Sequence, residues 1–460
     1  MFNCIRQVKK DIWVILFLLF VSIYTIFNLK HWNESDRIIV WDVISYYGYL
    51  PAAFIYGDVT LQNPNEKYNT LDHNFWYHET LEKSKVFKTS MGMAILYSPF
   101  FFLSHIYVLC TDGEASGFST PYRFGIAMSS LFYLIFGLIF LRKILKNYYN
   151  TSVISYTLLF VGLGTNLYYY TVIQVGMPHL YLLTLCSILF YLLNQWYEKP
   201  TYLLGCMVGL LGGLIVLVRP VMIIMIVLAL FLGINSMAQL KDRVYFYRAH
   251  FVKIPIVLFS AFFIWIPQFL YWKMTSGSYL FYSYTEERFF FTDPQIFNAL
   301  FSFRKGWLLY TPIMIFALIG FVMMLIKKDK NVLAIIFTVA LYFYVATCWW
   351  DWSFGGGFGY RTMIEMFPLL AFGLAAFLSH ILNYSRIYKN LLLSVMFLLL
   401  GFNLFQTRQA HEGLLHHDSM TKEAYSKILF KLQNQISIKE VEPFLKEPDY
   451  DRALKGERDL

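Results

Sequence analysis

Apolar stretches of about twenty residues, set off by short polar segments, recur along most of the chain. Each is long enough to cross much or all of a hydrocarbon layer of roughly 30 Å as a helix. Runs at 12–29, 122–141, 151–170, 178–195, 202–218, 221–235, 253–271, 307–326, 332–349, 363–382 and 390–406 predict about eleven crossings. A further run, 91–109, contains Pro99, Ser98, Ser104 and His105 and reads in two ways. Either it lies along the outer interface, or it spans, and then 202–235, hinged at Arg219-Pro220, crosses once.

Basic residues orient the pattern. Arg142, Lys143 and Lys146; Lys241, Arg243, Arg248 and Lys253; Lys327, Lys328 and Lys330; and Arg386 with Lys389 mark connections expected on the cytoplasmic side, all of which is satisfied when 91–109 does not span. Residues 12–29 follow Arg6, Lys9 and Lys10 without a small-residue cleavage site, so they read as a retained first helix with a cytoplasmic N-terminus. The external segments are then 30–121, 171–178, the Arg219-Pro220 turn, 272–306, 350–362 and 407–460.

Composition agrees with a lipid-solvated chain. Hydrophobic residues make up 58% and charged residues 15%, with a mean hydropathy of +0.50, too apolar for a soluble protein of this length. The net charge of +9 is therefore a topology signal, and no nucleic-acid partner is expected. Five scattered cysteines imply neither a disulfide framework nor a zinc site. The expected fold is an all-α polytopic membrane protein. Residues 1–406 form the transmembrane domain, 30–121 a large first external loop bearing juxtamembrane helices, and 407–460 a small charged tail.

Three constellations carry candidate chemistry on the outer face. In the first loop, Asp42, Tyr46 and Tyr49 share one helical face. A carboxylate partly desolvated at an interface can serve as a general base, although an acidic helix cap has the same appearance. The second set is external cations: Lys85, Lys88, Arg219, Arg288, Arg304, Lys305 and Arg361. They run against the usual charge bias and suit phosphate binding, or pairing with Glu286, Glu287, Asp351 or Glu365. The third is the run 349–361, Trp-Trp-Asp-Trp-Ser-Phe-Gly-Gly-Gly-Phe-Gly-Tyr-Arg. Its glycines allow close backbone approach, its tryptophans offer flat faces of the kind sugars stack on, and an interfacial aromatic belt is the plain alternative. His179 follows Pro178 at a helix start. In the tail, His411-Glu412 with His416, His417 and Asp418 misses metalloprotease spacing, so no metal is assigned.

Together these residues resemble the GT-C class of membrane glycosyltransferases, specifically the bacterial relatives of dolichyl-phosphate-mannose protein mannosyltransferases and of the aminoarabinose lipid A transferases. The resemblance covers about residues 10–380. It rests on Asp42 with Tyr46 and Tyr47, then Phe54, Asp58, Leu61, Asn63 and Tyr68, and on Lys88, Gly92, Pro99 and Phe100. It continues through His179, Arg219-Pro220, the run 300–312 and the glycine loop ending in Arg361, with Pro368 beyond. Family members commonly carry an acidic pair at the loop start, whereas Val43 follows Asp42 here, which leaves Asp36 as a rival catalytic residue.

The resemblance implies an inverting, metal-independent transfer of a sugar from a polyprenyl-phosphate donor to a hydroxyl on an acceptor lipid, glycan or protein, with no cofactor. Asp42 would be the base. Arg361, Lys85, Lys88, Arg219 and Arg304 would hold the phosphate, and Tyr46, Tyr47, His179, Glu287, Trp350, Asp351 and Trp352 would contact sugar or acceptor. The expected location is a bacterial inner membrane with the site facing outward. A transporter or flippase for a lipid-linked or amphipathic solute is the rival class, although no inverted repeat is visible.

Overall fold

The computed structural model describes residues 2–61, 77–79 and 85–458; Asn63 and Tyr68 lie outside the described residues. Helices dominate, and among the described residues the sheet structure is one antiparallel pair, Tyr77–Glu79 with Lys85–Phe87. Among the described residues six helices are long and apolar enough to cross a bilayer: Lys10–Asn33, Gly92–Cys110, Thr120–Leu145, Pro178–Glu198, Arg361–Ile381 and Arg386–His411. A seventh span would be the pair Met237–Ala249 and Phe251–Phe263, bent by 67°.

The runs at 151–170, 202–218, 221–235, 307–326 and 332–349 are shorter apolar helices of 10–17 residues. At about 1.5 Å rise per residue none alone covers the full hydrocarbon thickness. Local breakers account for the shortening. Gly164 ends Thr151–Leu163, Pro312 separates Trp307–Tyr310 from Met314–Ile326, and Pro220 opens a 3-10 turn after Tyr202–Val218. The run at 91–109 is instead one helix, Gly92–Cys110, with Pro99 inside it. The carbonyl that Pro99 leaves without an amide, on Ile95, accepts the Ser98 hydroxyl at 2.8 Å, so the helix continues without an orphaned acceptor.

Packing centres on Arg361–Ile381, whose most apolar 18-residue stretch is 89% buried. Met314–Ile326 crosses it at two glycines, where a Cβ added to Gly320 would lie 1.7 Å from the Gly373 carbonyl oxygen. Small residues at such crossings let backbones touch, which drives helix association where water cannot. By contrast the corresponding stretches of Lys10–Asn33 and Arg386–His411 are only 22% and 11% buried, and their outer faces carry exposed Phe20 and Leu398. Apolar faces turned outward in this way are those of an integral membrane protein.

Two elements frame the candidate site. Short helices Asp42–Tyr47 and Tyr49–Phe54 of the first loop pack on Gly92–Cys110. The tail beyond His411 carries Lys422–Ile428, Ile438–Val441 and Tyr450–Leu454 and builds a second small core with Tyr310 and Phe358 around Leu414, Tyr425 and Ile428.

Candidate functional site

Asp42 opens the helix Asp42–Tyr47, following Trp41 in a positive-φ conformation (φ 51°). Its Oδ2 accepts a hydrogen bond from Arg361 Nη2 at 3.0 Å, across 319 residues of sequence, and the Asp42 side chain stays 40% exposed. The loop after the first helix thus meets the glycine loop at its terminal arginine. Arg361 is itself nearly buried, and its Nε has no hydrogen-bond partner.

Behind this pair lies a buried polar cluster. Glu365 is fully buried one turn beyond Arg361 and accepts from Arg219 Nη1 at 2.5 Å, His179 Nδ1 at 3.0 Å and the Tyr342 hydroxyl. With Nδ1 donating, His179 Nε2 is a lone-pair acceptor, buried without a partner. Arg219 also lies over the Phe354 ring at 5.7 Å. Tyr46 is buried where the charges of Arg219, Asp42, Arg361 and Glu365 all reach it, and burial pushes its phenol up to about 12. Tyr284, raised chiefly by burial, feels the charges of Arg219, Glu287 and Asp42. Beside it Lys88 pairs with Glu287, and its ammonium sits 5.5 Å from the Tyr284 ring centre.

The glycine loop is shaped by positive φ at Gly355 (61°), Gly357 (155°) and Gly359 (61°), values that glycine adopts freely, and at Phe354 (60°), where a side chain makes the same conformation costly. The close approach is made to the protein. A Cβ on Gly357 would lie 2.4 Å from the Tyr170 hydroxyl, the Gly357 amide donates to the His417 carbonyl at 3.1 Å, and the Phe358 amide donates to Tyr170 at 2.9 Å. At these two positions the loop is therefore not an open phosphate nest. Lys305, buried behind it, donates to the carbonyls of Gly357 and His417, tying loop to tail. Burial, with the Arg361 charge adding, pushes its ammonium down to about 7. Asp351 accepts from the Ser353 amide and hydroxyl, and burial raises its carboxyl above the usual range.

Other expected contacts fall elsewhere. Tyr47 is fully buried, donates to the Gly117 carbonyl at 2.5 Å and packs edge-on to Phe101 and Phe118, because the helix turns it opposite Asp42. Trp352 is 3% exposed within the main core, so it offers no stacking face. Trp350 packs on Tyr450 of the tail. Lys85 lies on its strand over the Tyr77 ring, and Arg304 is buried next to Lys305. Asp36 is exposed on a turn where Glu34 takes the Arg37 and His31 partners. No motif marks Tyr170, Tyr284 or Tyr342; the Tyr168-Tyr169-Tyr170 run after Gly164 is the available signal, and it reads equally as an interfacial belt.

His416, His417 and Asp418 bring three potential ligand atoms within 4.8 Å of one another. His416 Nδ1 already accepts the Ser419 amide at 3.2 Å and Asp418 accepts the Ser419 hydroxyl at 2.5 Å, so this group also braces its own turn.

No protein-family model and no curated protein matches the chain. Its likeness to the GT-C class rests on the motifs alone.

Proposed function

We propose that this protein is a membrane glycosyltransferase that takes a sugar from a polyprenyl-phosphate donor and delivers it to an acceptor hydroxyl on the outer face. The Asp42–Arg361 ion pair carries the reading. It joins a half-exposed carboxylate of the first loop to a guanidinium of the late loop, with Arg219, Lys88, Tyr46 and Tyr284 grouped around them.

In this reading the donor phosphate binds where Arg361 can turn its fork of donors from Asp42 to phosphate oxygens, as planar guanidinium geometry favours. Released from its partner, the Asp42 carboxylate takes the proton of the acceptor hydroxyl as that oxygen bonds to the anomeric carbon. The bond from that carbon to phosphate oxygen breaks, and its electron pair leaves on polyprenyl phosphate, which Arg361, Arg219 and Lys88 stabilise. A single displacement inverts the centre. Glu365 acts through Arg219 as a positioning residue, and the protein's own cations supply the positive charge that the leaving phosphate needs. The basic connections at 142–146, 241–253 and 327–330 support an outward-facing site in a bacterial inner membrane.

A second reading, a transporter or flippase, draws on the buried His179–Glu365–Arg219 cluster and the helix broken at Pro220, features that coupling sites share. Proteoliposomes given radiolabelled polyprenyl-phosphate sugars separate the two. Release or transfer of label supports the enzyme; movement of intact donor between leaflets without bond cleavage supports the transporter and contradicts the transferase.

A further inference from the structure

Beside the candidate site lies a cleft of about 780 Å³ between the 282–291 segment and the tail helix Tyr450–Leu454. That volume is within the roughly 300–1,000 Å³ of ligand sites. Its far wall is fixed: Arg458, its guanidinium fully buried, donates to the Thr347 and Trp349 carbonyls at 3.0 and 3.3 Å and pairs with Asp293 at 2.8 Å. A Cβ on Gly456 would lie 2.7 Å from the Phe290 ring, so the tail seats tightly against this segment. The tail is thus tied to the start of the glycine loop that ends in Arg361.

The lining has a definite chemistry. Phe289 and Phe291 stack with ring centres 5.5 Å apart and planes inclined by 14°, and Phe291 is 52% exposed. Phe291 is thus an exposed ring backed by Phe289, which packs on Trp349. Around it stand three carboxylates, Glu286, Glu287 and Asp451, against the two cations Arg288 and Lys455. The Arg288 guanidinium lies 4.9 Å from the centre of the Phe290 ring. An aromatic face packs on the C–H face of a sugar ring and carboxylate oxygens accept hydrogen bonds from its hydroxyls; with Glu287 already paired to Lys88, the two remaining carboxylates and two cations of the lining balance, which suits a neutral occupant. Glu287 connects the cleft to the site through its ion pair with Lys88 and its electrostatic coupling to Tyr284, which also feels Asp42.

We infer that this cleft is the acceptor subsite, and that its occupant is an uncharged glycan presenting a hydroxyl toward Asp42. The inference rests on the transferase reading and names the acceptor class for it.

The test uses full-length protein in detergent, with maltotetraose, cellotetraose and chitotetraose as neutral probes and tetragalacturonate as the anionic one, read by saturation-transfer NMR. At least one neutral tetrasaccharide should bind, more tightly than tetragalacturonate. Phe291→Ala and Asp451→Ala should each weaken it roughly tenfold, or 1.4 kcal/mol. Phe291→Trp, which keeps a stacking face, should retain binding and guards against a fold defect in the alanine variant. Asp42→Asn should bind the glycan as wild type does. No neutral probe bound, equal or better binding of tetragalacturonate, or binding indifferent to Phe291 and Asp451 overturns the subsite; the last outcome makes these rings interfacial anchors. Glycan binding in a wild-type protein that releases no sugar from any donor overturns the transferase reading instead.

Discussion

Glu365→Gln isolates the buried polar cluster. Glu365 is fully buried and Arg219 is 18% exposed, so the substitution leaves a guanidinium short of its counter-charge where water reaches poorly. With its oxygen at the Oε1 position the amide still accepts from His179, and its NH2 donates to the Tyr342 hydroxyl oxygen, whose own hydrogen faces the Thr362 carbonyl, so the loss falls mainly on the Arg219 pair. Breaking a buried ion pair from one side costs about 3–5 kcal/mol. With an unfolding entropy of roughly 2.1 cal/mol/K per residue over the whole chain, that lowers the Tm by about 3–5 °C. Thermal unfolding in nanodiscs measures it. The double variant Arg219→Met with Glu365→Gln removes both charges and keeps volume, so it should recover at least half of the loss, because a balanced apolar replacement avoids the uncompensated charge. A single variant within about 1 °C of wild type, or a double variant less stable than the single, refutes this assignment.

Lys305→Met tests the loop-to-tail clamp through pH. Folded Lys305 gives up its proton near pH 7, whereas in the unfolded chain it holds it to about pH 10. Between these values the unfolded state binds more protons, so Lys305 makes stability rise with pH, with no contribution to the slope below both values. Tm profiles from pH 6 to 9.5 should rise less steeply in Lys305→Met, and an unchanged slope contradicts the assignment. Tyr47→Phe orphans the buried Gly117 carbonyl and should cost about 1–3 kcal/mol by thermal unfolding while sugar release per folded molecule is unaltered. Gly320→Ala forces apart helices in backbone contact and should cost at least about 1–3 kcal/mol; a neutral Tm would mean the crossing is loose.

Much of the architecture was legible because lipid solvation demands long apolar runs, and those runs mark helices wherever proline and glycine permit. Length was less legible. Pro99 stays inside a helix because Ser98 covers Ile95, whereas Pro312 ends a helical stretch, and nothing in the local sequence separates the two cases. Asp42 and Arg361 stood out individually, but their pairing across 319 residues is a property of the packed bundle. Glu365 could be read as a counter-charge, yet its four-residue cluster draws on four separate segments. Tyr46 and Tyr47 are neighbours in sequence and opposite in role, since one residue of helix turns the second ring into the core. Trp352 misled because tryptophan's flat face serves a packed interior as well as a sugar.

The most direct measurement is sugar release from radiolabelled polyprenyl-phosphate donors by wild type and Asp42→Asn in proteoliposomes. Asp42 is 40% exposed but the Arg361 guanidinium it leaves behind is only 10% exposed, so losing the pair should cost on the order of 1–3 kcal/mol, and turnover is compared per folded, donor-binding molecule. Turnover by wild type with loss of at least about a hundredfold in Asp42→Asn is expected, in line with removal of a general base. Turnover by Asp42→Asn equal to wild type contradicts the role given to this carboxylate.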